Sequence, residues 1–277
     1  MVVGVVTGLT RESACFNTFH PKTRPDVRCS GADALRAAEC TMALITSGCD
    51  GLVSFGMSGG LSPDMQQAMS SLADHPPNLP LKGRGLSNWN SASSPFPLEE
   101  EGRAAEEERP IRRALMPGAL IIPEAIIDGS GLRMPTDARW RAQLSAILSR
   151  HYSVMGGDIV GVNEALTTAS AKAKLYADTG AMAVDMESHR VGALATWTGV
   201  PFVAIRVISD TAERRIPPWV MAGVSADGSV ATAAMICGAA MHPWDIPSLI
   251  GLAGNSSKAL ARLRGVVRLL GPKLGLL

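Results

Sequence analysis

Two carboxylates stand where apolar segments end. Glu187 lies in Val184-Asp185-Met186-Glu187-Ser188, and Asp210 closes Val207-Ile208-Ser209-Asp210. A carboxylate at a helix start and another at a strand end can face one pocket. Such a pair suits the departure of a purine from a ribose. Positive charge developing on the sugar is accommodated by a carboxylate near its hydroxyls. Negative charge developing on the base is neutralised by an acid that gives a proton to N7, a contribution of typically ~10²–10⁴ in rate. The apolar strand around Asp210 favours the protonated form.

A third candidate is Gly56-Met57-Ser58-Gly59-Gly60. It fits the G-x-S-x-G elbow of serine hydrolases, and Asp210 and His242 follow in the chain order of that class. An esterase using Ser58 is therefore one reading. Against it, Pro63 falls where the helix after the serine should run, and no His-Gly-Gly segment precedes. The simpler expectation is a Gly-rich turn whose amides face a ligand.

The elements that must position these groups read as alternating strands and helices. Strands are expected at Val2–Thr7, Gly51–Phe55, Ala119–Ile127 (bent or at an edge near Pro123), Ser153–Val162, Ala181–Val184 and Pro201–Ser209. Runs without polar alternation imply strands covered on both faces. Helices are expected at Asp33–Ser47, with Leu35, Ala38, Met42 and Ile45 inward, and at Asp137–Arg150. Another is capped by Asn163 and runs to about Asp178, and a fourth spans Asp185 to Gly199. This order predicts a three-layer α/β fold, a central, mostly parallel mixed sheet flanked by helices. Sites in such sheets gather at the carboxyl ends of strands. Gly8, Ser58 to Gly60, Asp158, Glu187 and Asp210 all fall there.

Gln66 to Arg113 has neither hydrophobic period and contains Glu99-Glu100-Glu101 and Glu106-Glu107-Glu108. It reads as a flexible insertion in a single domain over 1–277, since each doubling of loop length costs only about 0.6 kcal/mol. From 247 to 277 a basic amphipathic helix is expected. Ala259, Leu260, Leu263, Val267 and Leu270 form its stripe, and Lys258, Arg262, Arg264, Arg268 and Lys273 the remainder. Such a stripe ordinarily packs on its own domain. The alternative is a helix lying in an anionic membrane interface.

Hydrophobic residues make up 46% of the 277 and charged ones 18%, and the formal net charge is +1. No global field points to nucleic acid. Five cysteines without a CxxC pair read as reduced thiols of a cytoplasmic protein. The five histidines lack metal-ligand spacing, so neither a metal nor another cofactor is expected.

Four stretches together resemble the purine nucleoside phosphorylase and methylthioadenosine/S-adenosylhomocysteine nucleosidase superfamily. They are Val3-Gly4-Val5-Val6 through Glu12, Phe55 to Leu61, Ala183 to Ser188, and Pro201 to Asp210. The resemblance implies that Asp210 protonates or hydrogen-bonds purine N7. It implies that Glu187 holds the ribose hydroxyls with Met186 under the sugar. Asp158, Val160 and Ser209 would belong to the base pocket. Glu12 would activate water, although by itself it reads as a solvated charge beside Arg11. Gly8, Ser58 and Gly59 would border the water or phosphate. Phosphate is a candidate second substrate, but Glu12, Ser54 and Met57 occupy places where phosphorolytic relatives carry anion-binding residues, so water competes with it.

The wording Val-Asp-Met-Glu-Ser-His, Ile216-Pro217-Pro218 and the basic C-terminal helix are most similar to the hopanoid-associated phosphorylases. This implies adenine release from adenosylhopane, a nucleoside with a triterpenoid at its 5′ carbon. The superfamily resemblance implies a homo-oligomer, and the basic C-terminal helix allows peripheral contact at the inner membrane face. The alternatives are a methylthioadenosine/S-adenosylhomocysteine nucleosidase, the Ser58 esterase, and a non-catalytic nucleoside-binding protein.

Overall fold

The computed structural model describes residues 2–62 and 115–276, apart from 224 and 226. The expected insertion at Gln66–Arg113 lies outside the described residues. Strands β1 (Val3–Thr7), β2 (Asp26–Cys29) and β3 (Gly51–Gly60) are followed by β4 (Leu120–Ile121), β5 (Ala125–Ile127) and β6 (Arg133–Pro135). After these come β7 (Val154–Met155), β8 (Ile159–Gly161), β9 (Ala183–Asp185) and β10 (Phe202–Asp210). The helices are α1 (Thr10–Ser13), α2 (Ala34–Thr46), α3 (Ala138–Leu148), α4 (Ala169–Thr179), α5 (Ser188–Thr198), α6 (Pro218–Ala222), α7 (Thr232–Met241) and α8 (Ile246–Leu270).

The mixed sheet runs β6-β5-β8-β9-β3-β10-β4-β7, with β1 beside the first half of β3 and β2 beyond it. The central pairs β1–β3 and β3–β10 are parallel. The last two residues of β3 turn to pair antiparallel with β9. That change of partner brings the ends of β3, β9 and β10 together.

Alternation along β10 assigns its faces. Val203, Ile205 and Val207 join one core with Trp140 and Leu144 of α3 and Leu263, Val266 and Val267 of α8. Phe202, Ala204 and Ile208 join the other, with Leu44 of α2 and Val191 and Ala195 of α5. Both faces are covered, which is why the strand reads as one apolar run. Arg206 interrupts the second face and is wholly buried.

The expected inner stripe of α2 is corrected by one residue. Ala34, Ala37, Thr41 and Leu44 are buried, while Leu35 is 70% exposed. Both registers keep the 3–4 spacing. Close packing selects the one that sets Leu44 over Gly4, where a Cβ would lie 3.1 Å from it. The strand expected at Ala119–Ile127 is broken at Pro123 into β4 and β5. Asn163 does not cap α4. Thr168 does, its Oγ1 accepting from the Ala171 N–H at 3.2 Å, and Asn163 Oδ1 instead meets His189 and Arg190.

The C-terminal helix begins at Ile246 and buries Ala259, Leu263, Val266, Val267 and Leu270 against the sheet and α3. Its stripe therefore packs on the domain and is not offered to a membrane. No described helix is long and apolar enough to cross one.

Candidate active site

A cavity of about 230 Å³ opens where β1, β3, β9 and β10 end. Gly8, Glu12, Ser58, Gly59, Met186, Glu187, Ser209 and Asp210 all line it. Eight of the ten residues singled out from the sequence thus meet in one place.

Glu12 sits on the single turn of α1, directly after β1. Its Oε2 accepts from the N–H groups of Gly8 and Leu9, both at 2.9 Å, and its Oε1 from that of Met57 at 2.7 Å. It is not a solvated loop charge. Burial raises its pKa, opposed in part by these amides and by Arg206.

Glu187 stands at the junction of β9 and α5. Asp185 fixes that junction, its Oδ1 accepting from the Glu187 and Ser188 N–H groups at 3.1 and 2.8 Å. Burial pushes the Glu187 pKa up to about 8; Arg206 opposes the shift, and Asp185 and Glu12 add to it.

Beneath both carboxylates lies Arg206. Its Nε donates to Asp185 Oδ2 at 2.6 Å, and its Nη2 to Ser54 at 2.6 Å, Ser188 at 2.9 Å and Glu187 Oε2 at 3.4 Å. Its Nη1 is buried without a hydrogen-bond partner among the described residues. Gly56 makes room for this group. A Cβ there would lie 2.6 Å from Arg206 Nη1 and 2.7 Å from Glu12 Oε1.

Asp210 closes β10 opposite Gly59. Ser209 Oγ donates to its Oδ1 at 2.8 Å, and Lys172 Nζ donates to its Oδ2. Ser58 Oγ, also buried, has no partner among the described residues.

Two expected base-pocket residues do not line the cavity. Asp158 is bound by Arg133, at 2.6 Å from Nε and 2.9 Å from Nη2. Val160 is buried in a small cluster with Leu61, Ile127 and Val184. Val162 and Leu166, further along the same segment, line the cavity instead. The expected Gly-rich turn at 56–60 is also corrected. The segment stays in β3, held by a parallel ladder to β10 that reaches Asp210 opposite Gly59. Ser58 therefore sits in a strand and not on an elbow, and His242 is stacked on Trp219. This geometry removes the esterase reading.

Reading the sequence for sites missed Arg206, Asp185 and Lys172. For Arg206 a signal existed, because a lone arginine inside a doubly covered strand must find buried partners. For Lys172 there was none. It resembles Lys174, two residues on, which is exposed and paired with Asp178.

Among solved structures the fold is shared with a protein of Francisella philomiragia assigned as a 5′-methylthioadenosine/S-adenosylhomocysteine nucleosidase. The two are 14% identical, with 97% of each chain covered and a TM-score of 0.60. Futalosine hydrolase of Helicobacter pylori matches at 13% identity, 97% of each chain and a TM-score of 0.58. The 5′-methylthioadenosine/S-adenosylhomocysteine nucleosidase of the same organism matches at 13%, covering 97% of this chain and 98% of its own, with a TM-score of 0.57. No curated protein matches the sequence. The model of the phosphorylase superfamily matches residues 27–234, three quarters of the chain, and the chain belongs to that superfamily of N-glycosidic bond-cleaving enzymes.

Proposed function

We propose that this enzyme hydrolyses the N-glycosidic bond of an adenosine carrying a large apolar 5′ substituent, with adenosylhopane as its substrate. One observation carries the reading. Glu12, Glu187 and Asp210 reach a single cavity from three different strand ends, and much of its remaining lining is apolar. In the step proposed, the C1′–N9 bond breaks and its electron pair stays on the purine. Asp210 supplies the proton taken up at N7. Water adds to C1′ and gives its proton to Glu12. Glu187 and Met186 hold the ribose.

Water is favoured over phosphate by charge. Among the described residues the cavity is lined by four carboxylates, those of Glu12, Asp185, Glu187 and Asp210, and by one cation, Lys172, which Asp210 already holds. Among the described residues, no unpaired cation lines the cavity to hold a dianion. The buried Glu12 carboxylate, with its raised pKa, suits a base that takes a proton from water.

The 5′ substituent is read from the wall formed by Ile216, Val220 of α6 and Leu252 of α8. Helix α7 packs on α6, where a Cβ on Gly238 would strike the Trp219 ring. Ile236, Met241, Trp244 and Ile250 are exposed on this side, Trp244 at 72%. We place any membrane contact on these side chains, because the C-terminal stripe is buried. A homo-oligomer would cover Leu35, Met42 and Trp197, which α2 and α5 leave exposed.

The test is adenine release from adenosylhopane, methylthioadenosine and S-adenosylhomocysteine, each with and without phosphate. Preferred turnover of adenosylhopane to a free ribosyl product, independent of phosphate, is expected. A strict phosphate requirement overturns hydrolysis. Preference for the two small thioethers overturns the apolar 5′ group and leaves the second reading, a methylthioadenosine/S-adenosylhomocysteine nucleosidase. That second reading is favoured by the fold shared with such nucleosidases.

A further inference from the structure

Lys172 is 1% exposed, in a helix whose neighbouring lysine is in solvent. Its ammonium has three donors, and all three are used inside the protein. One reaches Asp210 Oδ2, one the Thr211 carbonyl at 2.8 Å and one the Arg214 carbonyl at 3.2 Å. The other oxygen of Asp210 accepts from Ser209 Oγ. Both oxygens of the acid are thus occupied by donors, and one of those donors is an amine.

A buried ion pair is a poor device for stability alone, since apolar residues of similar volume are often as good or better. Nor is Lys172 needed to close a gap in backbone hydrogen bonding, because carbonyls tolerate being without a second donor better than amides do. Lysine differs from arginine in that it can give up its proton in a buried setting. That property matters at Asp210. The acid must lose a proton to the purine in every turnover and regain one, yet it is buried away from bulk water.

We propose that Lys172 supplies the proton that Asp210 passes to the leaving purine. This rests on the functional reading above and deepens it. As the C1′–N9 bond breaks, Asp210 transfers a proton to N7, and Lys172 Nζ–H transfers one to the Asp210 carboxylate. The pair ends the step as a neutral amine beside a carboxylate. Water adds to C1′ and its proton goes to Glu12. That proton returns through solvent to Lys172 after the products leave, so the cycle consumes only nucleoside and water. Lys172 also positions Asp210, because its two carbonyl contacts hold the amine at a fixed point beside the end of β10. It is a positioning residue in that it acts on the purine only through Asp210.

The experiment compares wild type, Lys172→Ala and Lys172→Met in steady-state purine release from about pH 5.5 to about 9, with and without added ethylammonium. General acid catalysis is typically worth ~10²–10⁴, so kcat is expected to fall by about 10²-fold or more in both variants while KM stays within a few-fold. Ethylammonium should restore part of kcat in Lys172→Ala, where the amine has space. It should not do so in Lys172→Met, where the methionine fills that space. The shape of the kcat profile across this pH range should differ from wild type in both. Lys172→Met keeps the volume of the side chain and serves should the alanine variant fail to fold. The inference is overturned if kcat in a folded variant is within threefold of wild type. It is equally overturned if kcat falls but neither the amine nor pH changes the result. A wild type inactive on every purine nucleoside would instead sink the functional reading itself, which separates the two failures.

Discussion

Arg206 Nε meets Asp185 Oδ2 at 2.6 Å, with both side chains buried. The other oxygen of Asp185 accepts from the amides that begin α5. An arginine on β10 thereby sets where α5 starts, and with it where Glu187 enters the cavity. Its Nη2 ties Ser54 of β3 and Ser188 of α5 to the same point. The ribose end of the site is thus built on a charge inside the sheet and not on a loop.

Removing that charge should be costly. Arg206→Met leaves Asp185 buried without a countercharge, which typically costs about 3–5 kcal/mol. Denaturant unfolding should show the midpoint falling with the slope unchanged. Adding Asp185→Asn to Arg206→Met should recover part of the loss, because the two groups are directly coupled. A single variant within about 1 kcal/mol of wild type would show that the network does not hold the junction.

Glu187 makes a separate prediction about pH. Its folded pKa, about 8, lies above the ordinary 4.5. Through that interval the folded state holds a proton that the unfolded state has lost, so the contribution of Glu187 to stability is full below about 4.5 and declines as the pH rises toward 8. Glu12, also raised by burial, adds to the same slope. Glu187→Gln cannot ionise and should flatten the decline. Thermal midpoints of both proteins across this range, in buffers of matched ionic strength, check it. Parallel curves would count against a buried, largely protonated Glu187.

Much of this was legible in the amino-acid sequence, and the parts that were not have physical reasons. Strand β10 announced itself because both of its faces are covered, and Asp210 followed as the residue at its end. Glu187 rested more on the family resemblance, because a carboxylate at a helix start is also an ordinary partner of the helix dipole. The inner face of α2 was misplaced because two adjacent stripes share one period, and packing over Gly4 chooses between them. The segment at 56–60 was misread for a related reason. Three glycines in five residues look like a turn, yet here they are strand positions: at Gly56 Arg206 and Glu12 come too close for a Cβ, and at Gly59 and Gly60 Asp210 leaves only a tight fit. Lys172 left no trace at all, since only the tertiary fold separates it from Lys174.

Gly56→Ala tests that close approach. The new Cβ would lie under 3 Å from both Arg206 Nη1 and Glu12 Oε1. Neither group can move far, because Glu12 is held by three amides and Arg206 by four side chains. Overpacking of this kind typically costs about 1–3 kcal/mol. Purine release should fall more steeply than stability, since the displaced groups are those placed beside the water. Retained activity in a variant of lowered stability would separate Glu12 from the reaction.

Asp210→Asn keeps the shape of the acid and removes its exchangeable proton. Purine release should drop by about 10²–10⁴-fold. The far-ultraviolet circular dichroism should be unchanged, because the amide oxygen can still accept from Lys172 while the amide NH2 donates to Ser209 Oγ. Activity close to wild type would exclude proton delivery at this position.

Asp158 and Val160 give the sharpest contrast, since resemblance placed both at the base while the fold turns them elsewhere. Asp158 is occupied by Arg133, whose side chain is half exposed. An exposed pair of this sort is typically worth at most about 1 kcal/mol. Asp158→Ala should therefore change kcat and KM by less than about threefold and stability by less than about 1 kcal/mol. Val162→Ala, by contrast, trims a side chain that lines the cavity. It should raise KM for the nucleoside more than it lowers kcat, because a contact made equally in ground state and transition state acts on binding. The opposite pattern, a large effect at Asp158 and none at Val162, would mean that the substrate reaches β8 from its other end.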